Sequence, residues 1–333
     1  MPSLHALASC TQCCLVVTQP DRPAGRGQRL RSTPVKIAAQ ELRIPAIEPQ
    51  RLRRETVPEL LAEPFDLFAV ASYGKIVPQW ILDLPRLGAL NVHPSLLPLY
   101  RGATPLQSQI RDGLVESGVT ILMMDAGMDT GDVVLQERST IGARETYGEL
   151  HDRFAILGAA LLQRAIEQMS RGEGKRTPQR ELAPEDRIGA TLTRLLRKED
   201  FQLASIEPEK FTMSAIVNIV RSSAPKQQEP GGGLDANVAS LHMKILAAHA
   251  LPDGPPIPLP VREGIIFQGW ILLRTVDGWV SVDELREPGS RAVSIRQFRN
   301  GRQDTLLPKN MTSWQPLLQT WYDKGGKAAL QSW

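Results

Sequence analysis

Between Leu15 and Ile141 the chain repeats one pattern: a short apolar run bounded by turn residues, then a stretch with helical spacing. Few architectures satisfy it. Strands that alternate with helices bury both faces of their sheet under those helices, so the expectation is an α/β domain with a mostly parallel, Rossmann-like sheet. Leu15–Thr18, Ile44–Ile47, Leu67–Ser72, Ala89–His93, Thr120–Met124 and Val133–Thr140 read as the strands. Thr33-Pro34 and Thr104-Pro105 open helices with proline at the first helical position, and Gly113 stops the second. Thr146 and Glu149 form a T-x-x-E capping box ahead of an apolar stripe at Leu150, Phe154, Leu157 and Leu161. That pattern predicts a helix running to Ser170.

A chain of 333 residues is long for one domain, so two are expected. The stretch from Arg171 to Ile188 is polar, charged and rich in Gly and Pro, which reads as a linker. Beyond it the texture changes. Met243–Ala248, Gly264–Phe267, Trp270–Thr275 and Trp279–Val282 are short strands with turn signals such as Asp277-Gly278, and little helix follows Arg221. This predicts a second, smaller β-barrel or sandwich. Lys226 to Gly233 reads as a mobile loop. The resulting division is 1–170, a linker over 171–189, a barrel over 190–302, and a tail over 303–333. Met311–Trp333 carries three of the six tryptophans and reads as a short amphipathic tail without an assigned role.

No apolar run approaches the roughly 20 residues a membrane helix needs, and Met1–Cys14 lacks the pattern of a secretory signal. Cys10, Cys13 and Cys14 form one cluster with C-x-x-C spacing but no further ligand set, so the expectation is no metal and three small apolar core residues in a reducing compartment. Net charge is only +3, yet Pro20–Lys36 carries Arg22, Arg26, Arg29, Arg31 and Lys36 against Asp21, and Lys175–Lys198 carries seven basic and three acidic residues. Two basic patches on a near-neutral chain suit either solvated loops or a polyanion touching two places.

The densest chemical signal is Asn91-Val92-His93-Pro94-Ser95-Leu96-Leu97-Pro98, followed by Arg101-Gly102. Asn91 and His93, two apart on a strand, share a face, and ligands of open α/β sheets bind beyond the carboxyl ends of strands. An amide donor beside an imidazole can hold an oxyanion and manage a proton; the alternative is a core histidine beside a turn asparagine. A second signal, Asp125-Ala126-Gly127-Met128-Asp129-Thr130-Gly131-Asp132, places carboxylates in a tight loop after a strand. A carboxylate there, brought near His93, would fix its tautomer; the alternative is a plain turn. No G-x-G-x-x-G, P-loop lysine or G-x-S-x-G elbow occurs, so an Asn–His–Asp set without a covalent nucleophile fits direct acyl transfer.

These residues resemble the folate-dependent formyltransferases, whose pattern reads N-[IV]-H-x-S-L-L-P, then aromatic-R-G, and later D-x-G-x-D-T-G-D. Asn91–Pro98, Tyr100-Arg101-Gly102 and Asp125–Asp132 match it. The resemblance implies that Asn91, His93 and Asp129 are catalytic, that Ser95, Leu96, Leu97 and Pro98 line the site for 10-formyltetrahydrofolate, and that Tyr73 and Gly74 lie beside the pterin. Thr18–Gly27 (T-Q-P-D-R-P-A-G-R-G) is similar to the loop with which the tRNA-specific branch reaches the acceptor stem, which implies tRNA contacts by Arg22, Arg26 and Arg29. The implied reaction moves the formyl group onto the α-amine of initiator methionyl-tRNA for translation initiation, in a cytoplasmic, bacterial-like setting or in an organellar matrix. The implied second domain is OB-like and holds tRNA. A monomer without membrane partners is the default. The alternatives are a formyltransferase for an amino sugar or small nucleotide, and a truncated, inactive tRNA-binding relic. The family's first strand and its G-T-P-x-F turn are not found ahead of Pro2, and a chain starting at Met1 is therefore expected to be less stable and weakly active.

Overall fold

The computed structural model describes residues 1–24, 29–182, 191–224, 232–239, 241–301 and 312–331. Two compact units are present. The first comprises residues 1–106, 115–141 and 150–195, and the second comprises 107–114, 142–149 and 196–333.

The first unit opens with α1 (Pro2–Cys10), β1 (Val16–Val17), the hairpin β2 (Arg22–Ala24) and β3 (Arg29–Arg31), α2 (Pro34–Glu41) and β4 (Ala46–Ile47). The Thr33 hydroxyl caps α2 by accepting from the Lys36 N–H at 3.2 Å, as its Thr-Pro start predicts. There follow α3 (Glu59–Ala62), β5 (Phe68–Val70), α4 (Gln79–Leu82), β6 (Ala89–His93), β7 (Arg101–Gly102), α5 (Pro105–Arg111), the long strands β8 (Glu116–Met123) and β9 (Val133–Thr140), α6 (Tyr147–Ser170) and β10 (Leu192–Thr193).

The α/β class is as expected, but the sheet is mixed. β1 pairs with β4, β5 with β6 and β7 with β10 in parallel, whereas the four-stranded sheet β5-β6-β8-β9 is antiparallel beyond β6. The reason is local. β8 and β9 are joined by the tight Asp125–Asp132 loop, which can only return a strand antiparallel. The capping box holds at the start of α6: the Thr146 N–H donates to Glu149 Oε2 at 2.9 Å. Leu150, Phe154 and Leu161 are buried and Leu157 half-buried along its stripe. Gly158 brings α6 down on the sheet. A Cβ there would meet Val92 Cγ1 at 2.6 Å, so the strand that carries Asn91 and His93 is braced directly from behind.

The three cysteines are free. Cys13 packs against the small cluster of Leu4, Val16, Ala38 and Ala39, but Cys14 is exposed, which corrects the expectation of three core residues. Burial pushes the Cys10 and Cys13 thiols up, away from the reactive thiolate.

The second unit holds α7 (Met213–Ser223), β11 (Leu234–Val238), β12 (Leu241–Leu251), β13 (Gly264–Phe267), β14 (Trp270–Arg274), β15 (Trp279–Arg286), β16 (Val293–Ser294), α8 (Ile295–Gly301), α9 (Gln315–Trp321) and α10 (Lys327–Gln331). Its antiparallel sheet runs β11-β12-β15-β14-β13, with β16 on β15. The expected barrel is thus a curled, open sheet, bent where β12 shifts register between Ile245 and Ala248. The tail is not peripheral: Leu318, Tyr322 and Leu330 join the core of this unit with Phe211 and Leu285. Most of the loop expected over 226–233, and 183–189 of the expected linker, lie outside the described residues.

Candidate active site

β6 delivers Asn91 and His93, and the loop between β8 and β9 delivers Asp129. The three meet. Asn91 Nδ2 donates to Asp129 Oδ1 at 3.2 Å, and Asp129 Oδ2 lies 3.6 Å from His93 Nδ1. The backbone N–H of Gly102 donates to Asp129 Oδ2 at 2.8 Å, so the carboxylate is fixed from two sides. On the far side of the ring, His93 Nε2 lies 2.8 Å from the Tyr100 carbonyl oxygen. A carbonyl can only accept, so Nε2 carries the hydrogen and the Nδ1 lone pair of the neutral ring faces the site.

His93 is almost fully buried, with 4% of its side chain exposed. Burial pushes its imidazole below the ordinary value, while the Asp129 carboxylate and the Tyr100 hydrogen bond oppose that shift. The ring therefore rests neutral at physiological pH and is built to take a proton at Nδ1, with a carboxylate ready to stabilise the cation. The two neighbouring carboxylates divide their labour. Asp125 Oδ1 accepts from the Gly127 N–H at 3.0 Å and from the Thr130 hydroxyl at 2.6 Å, closing the loop, whereas the Asp129 carboxylate faces Asn91 and His93.

Close approach dictates two glycines. At Gly131 a Cβ would sit 1.7 Å from the Met123 carbonyl oxygen, and at Gly102, with φ of +105°, 2.5 Å from the Thr193 carbonyl oxygen. Asp129 itself has φ of +55° and Tyr100 +57°, so the site is assembled on backbone that side chains rarely adopt.

The stretch expected to line a folate site divides. Ser95 is fully buried, donating its hydroxyl to the Leu99 carbonyl at 2.6 Å, and Leu97 packs into the core with Leu122 and Val133. With buried Pro98 they shape the turn from behind, and Leu96 is the partly exposed member. Tyr73 and Gly74 lie after β5. The Tyr73 hydroxyl is buried with no hydrogen-bond partner among the described residues, and burial pushes it up.

In the basic stretch, Arg22 is exposed on β2 and donates to Gln19 Oε1 at 3.2 Å, and Arg29 opens β3. Arg26 lies outside the described residues. Lys36 is not part of a free basic surface: its Nζ pairs with Asp21 at 3.0 Å and Glu48 at 2.6 Å and pins the base of the hairpin. The residue that the sequence did not single out is Gln179. Buried inside the supposed linker, it donates to the carbonyls of Asp129 and Gly131, both at 2.8 Å. Among the described residues, no cluster of His, Cys, Asp and Glu could hold a metal ion, and no helix is long and apolar enough to cross a membrane.

Residues 4–166 match the formyl transferase family. A methionyl-tRNA formyltransferase of Syntrophus aciditrophicus is 37% identical over 287 residues, covering 86% of this chain and 87% of the relative. That of Halorhodospira halophila is 36% identical and covers 92% of this chain and 94% of its own length. The chain belongs to the methionyl-tRNA formyltransferase family. Fold comparison shows a shared architecture. An N-formyltransferase from Helicobacter canadensis, solved with folinic acid and dTDP-3-aminofucose, superposes with a TM-score of 0.60 at 18% identity, covering 84% of this chain and 93% of that one.

Proposed function

We propose that this protein transfers the formyl group of 10-formyltetrahydrofolate to the α-amine of methionyl-tRNA, in the cytoplasm of a bacterial-like cell. The observation that carries the reading is the convergence of Asn91, His93 and Asp129 in a chain whose family is named for that reaction. When bound, the folate supplies a formyl group on a nitrogen that can depart once protonated. Leu96, Tyr73 and Gly74 are the residues that would hold it, and the orphaned Tyr73 hydroxyl fits a polar ligand at that place.

As the α-amine nitrogen bonds to the formyl carbon, His93 Nδ1 takes the proton that the amine sheds. Asp129 stabilises the resulting imidazolium through its carboxylate. Asn91 Nδ2, which spends one hydrogen on Asp129, offers the second to the developing oxyanion. His93 then returns the proton to the folate nitrogen as its bond to the formyl carbon breaks. Gly102 and Tyr100 hold Asp129 and His93 in place throughout.

Arg22 on β2, Arg29 on β3 and Arg26, between them in sequence, are the residues we assign to the acceptor end of the tRNA. A cavity of about 1350 Å³ in the second unit, lined by Arg144, Arg296 and Arg299 as well as Asp283, is a further place for a polyanion to touch. The test is transfer of labelled formyl from 10-formyltetrahydrofolate to methionyl-tRNA in parallel with a nucleotide-linked amino sugar. Label on the amino sugar alone would refute the tRNA assignment.

A further inference from the structure

Gln179 fills a place that only a glutamine satisfies. Its Nε2 has two hydrogens and donates both, to the carbonyls of Asp129 and Gly131 at 2.8 Å each. Its Oε1 has two lone pairs and accepts from Arg101 Nε at 3.0 Å and Nη2 at 2.6 Å. All four hydrogen-bonding positions of one amide are thus used, at a residue 4% exposed. The opposite amide orientation would set N–H groups against the Arg101 N–H groups and an oxygen against two carbonyls, so the pairing fixes the orientation.

Both partners are parts of the site. One is the backbone of the loop that holds Asp129 at φ +55°. The other precedes Gly102, whose N–H fixes the Asp129 carboxylate. Two residues upstream, Thr177 and Val133 exchange backbone hydrogen bonds at 2.8 and 2.9 Å, so residues 177–179 strap the loop where it enters β9.

We infer that Gln179, with Arg101, is a positioning residue that sets the Asp129 carboxylate against His93, and that the chain after α6 is a working part of the active site rather than a connector. The inference rests on the roles proposed above for Asn91, His93 and Asp129. Its mechanism is indirect: Gln179 touches neither His93 nor the Asp129 carboxylate, and acts through the main chain.

The test uses the full chain. Gln179→Leu removes all four hydrogen bonds; Gln179→Glu keeps the acceptors for Arg101 and loses both donors. Both should lower kcat by about 10- to 10²-fold, the scale of a carboxylate displaced by a fraction of an ångström to 1 Å, with the KM for folate and tRNA within about twofold. The decisive readout is the His93 ring, followed by NMR titration among five histidines. Asn91, the Tyr100 carbonyl and Asp129 are its polar neighbours, and Asp129 is the charged one. Loss of the strap should move the His93 titration to lower pH, because the nearby anion that favours the cation has shifted away.

In the Asp129→Asn background, Gln179→Leu should produce no further movement. A titration unmoved in Gln179→Leu, with kcat lowered only in step with thermal stability, would overturn the inference, as would fully additive effects in that background. If Gln179→Leu does not fold, Arg101→Met opens the same clamp from its other side and faces the same two criteria. Failure of Asp129→Asn alone to move the titration would instead sink the proposed pairing of Asp129 with His93. The two failures are therefore distinguishable.

Discussion

Gly131→Ala offers a sharp geometric test of the site. A Cβ at this position would lie 1.7 Å from the Met123 carbonyl oxygen, where ordinary contacts begin beyond 3 Å. The obstacle is backbone, and that backbone is itself fixed, since the Met123 N–H donates to the Asp132 carbonyl at 2.8 Å. The loop must therefore open by more than about 1 Å, and Asp129, two residues away, moves with it. A misplacement of about 1 Å at reacting groups costs on the order of 10²-fold in rate. We expect kcat/KM for methionyl-tRNA to fall by about that factor. Gly131 is buried, but the strain enters through the backbone of a turn and not through packed apolar side chains, so the variant should still fold. Steady-state formylation gives the first quantity, and thermal unfolding with near-UV circular dichroism gives the second. A folded Gly131→Ala enzyme with wild-type kcat/KM would refute the reasoning that this loop is held rigidly against the strand.

Five further outcomes are expected. Asn91→Ala, which loses the amide assigned to the oxyanion, should lower kcat by about 10²–10³-fold, as measured in single-turnover formylation. The catalytic form of His93 is the neutral one and burial depresses its pKa, so kcat/KM should hold as pH falls to the ordinary histidine range and decline only below it; a profile declining already above pH 7 contradicts this. The same depressed value has a stability consequence. The unfolded chain binds the proton more readily, so the His93 contribution is fully present above the unfolded pKa and is lost as pH falls through the folded one, and unfolding free energy against pH in wild type and His93→Gln should differ in that window. Arg22→Glu and Arg26→Glu should raise the KM for methionyl-tRNA and flatten its salt dependence while leaving folate KM unchanged. For the second unit, Leu318→Ala should destabilise by about 2–5 kcal/mol in chemical denaturation, because that side chain is fully buried in its core.

Much of the site was legible because its signals are local. A period of two on a strand puts Asn91 and His93 on one face, and a loop of glycines and aspartates after the next strand marks Asp129. The Ser95–Pro98 stretch was legible as a motif but not in its geometry, since Ser95 and Leu97 point into the core. Lys36 looked like free positive charge because its partner Glu48 lies twelve residues away in sequence. Gln179 was hidden for two reasons. Its contacts are long-range, and they go to backbone carbonyls, which leave no trace in residue type. The tail was half-legible. Leu318, Tyr322 and Leu330 do fall at helical spacing, but Gly325-Gly326 between them argues against a continuous helix, and Gly325 indeed breaks it with φ of +142°. Alternation of strands and helices predicts parallel crossovers, and the short loop between β8 and β9 overrides that expectation for this pair.

In the proposed reaction Asn91, His93 and Asp129 move a formyl group from folate to methionyl-tRNA. The most direct measurement is single-turnover transfer of labelled formyl onto methionyl-tRNA by wild type and His93→Ala, with binding of both substrates verified. Formylmethionyl-tRNA is expected from the wild-type protein, and a rate lower by about 10²-fold or more from the variant. Equal rates from the two proteins, or no transfer to methionyl-tRNA by a wild-type protein that binds both substrates, would contradict the proposed reaction.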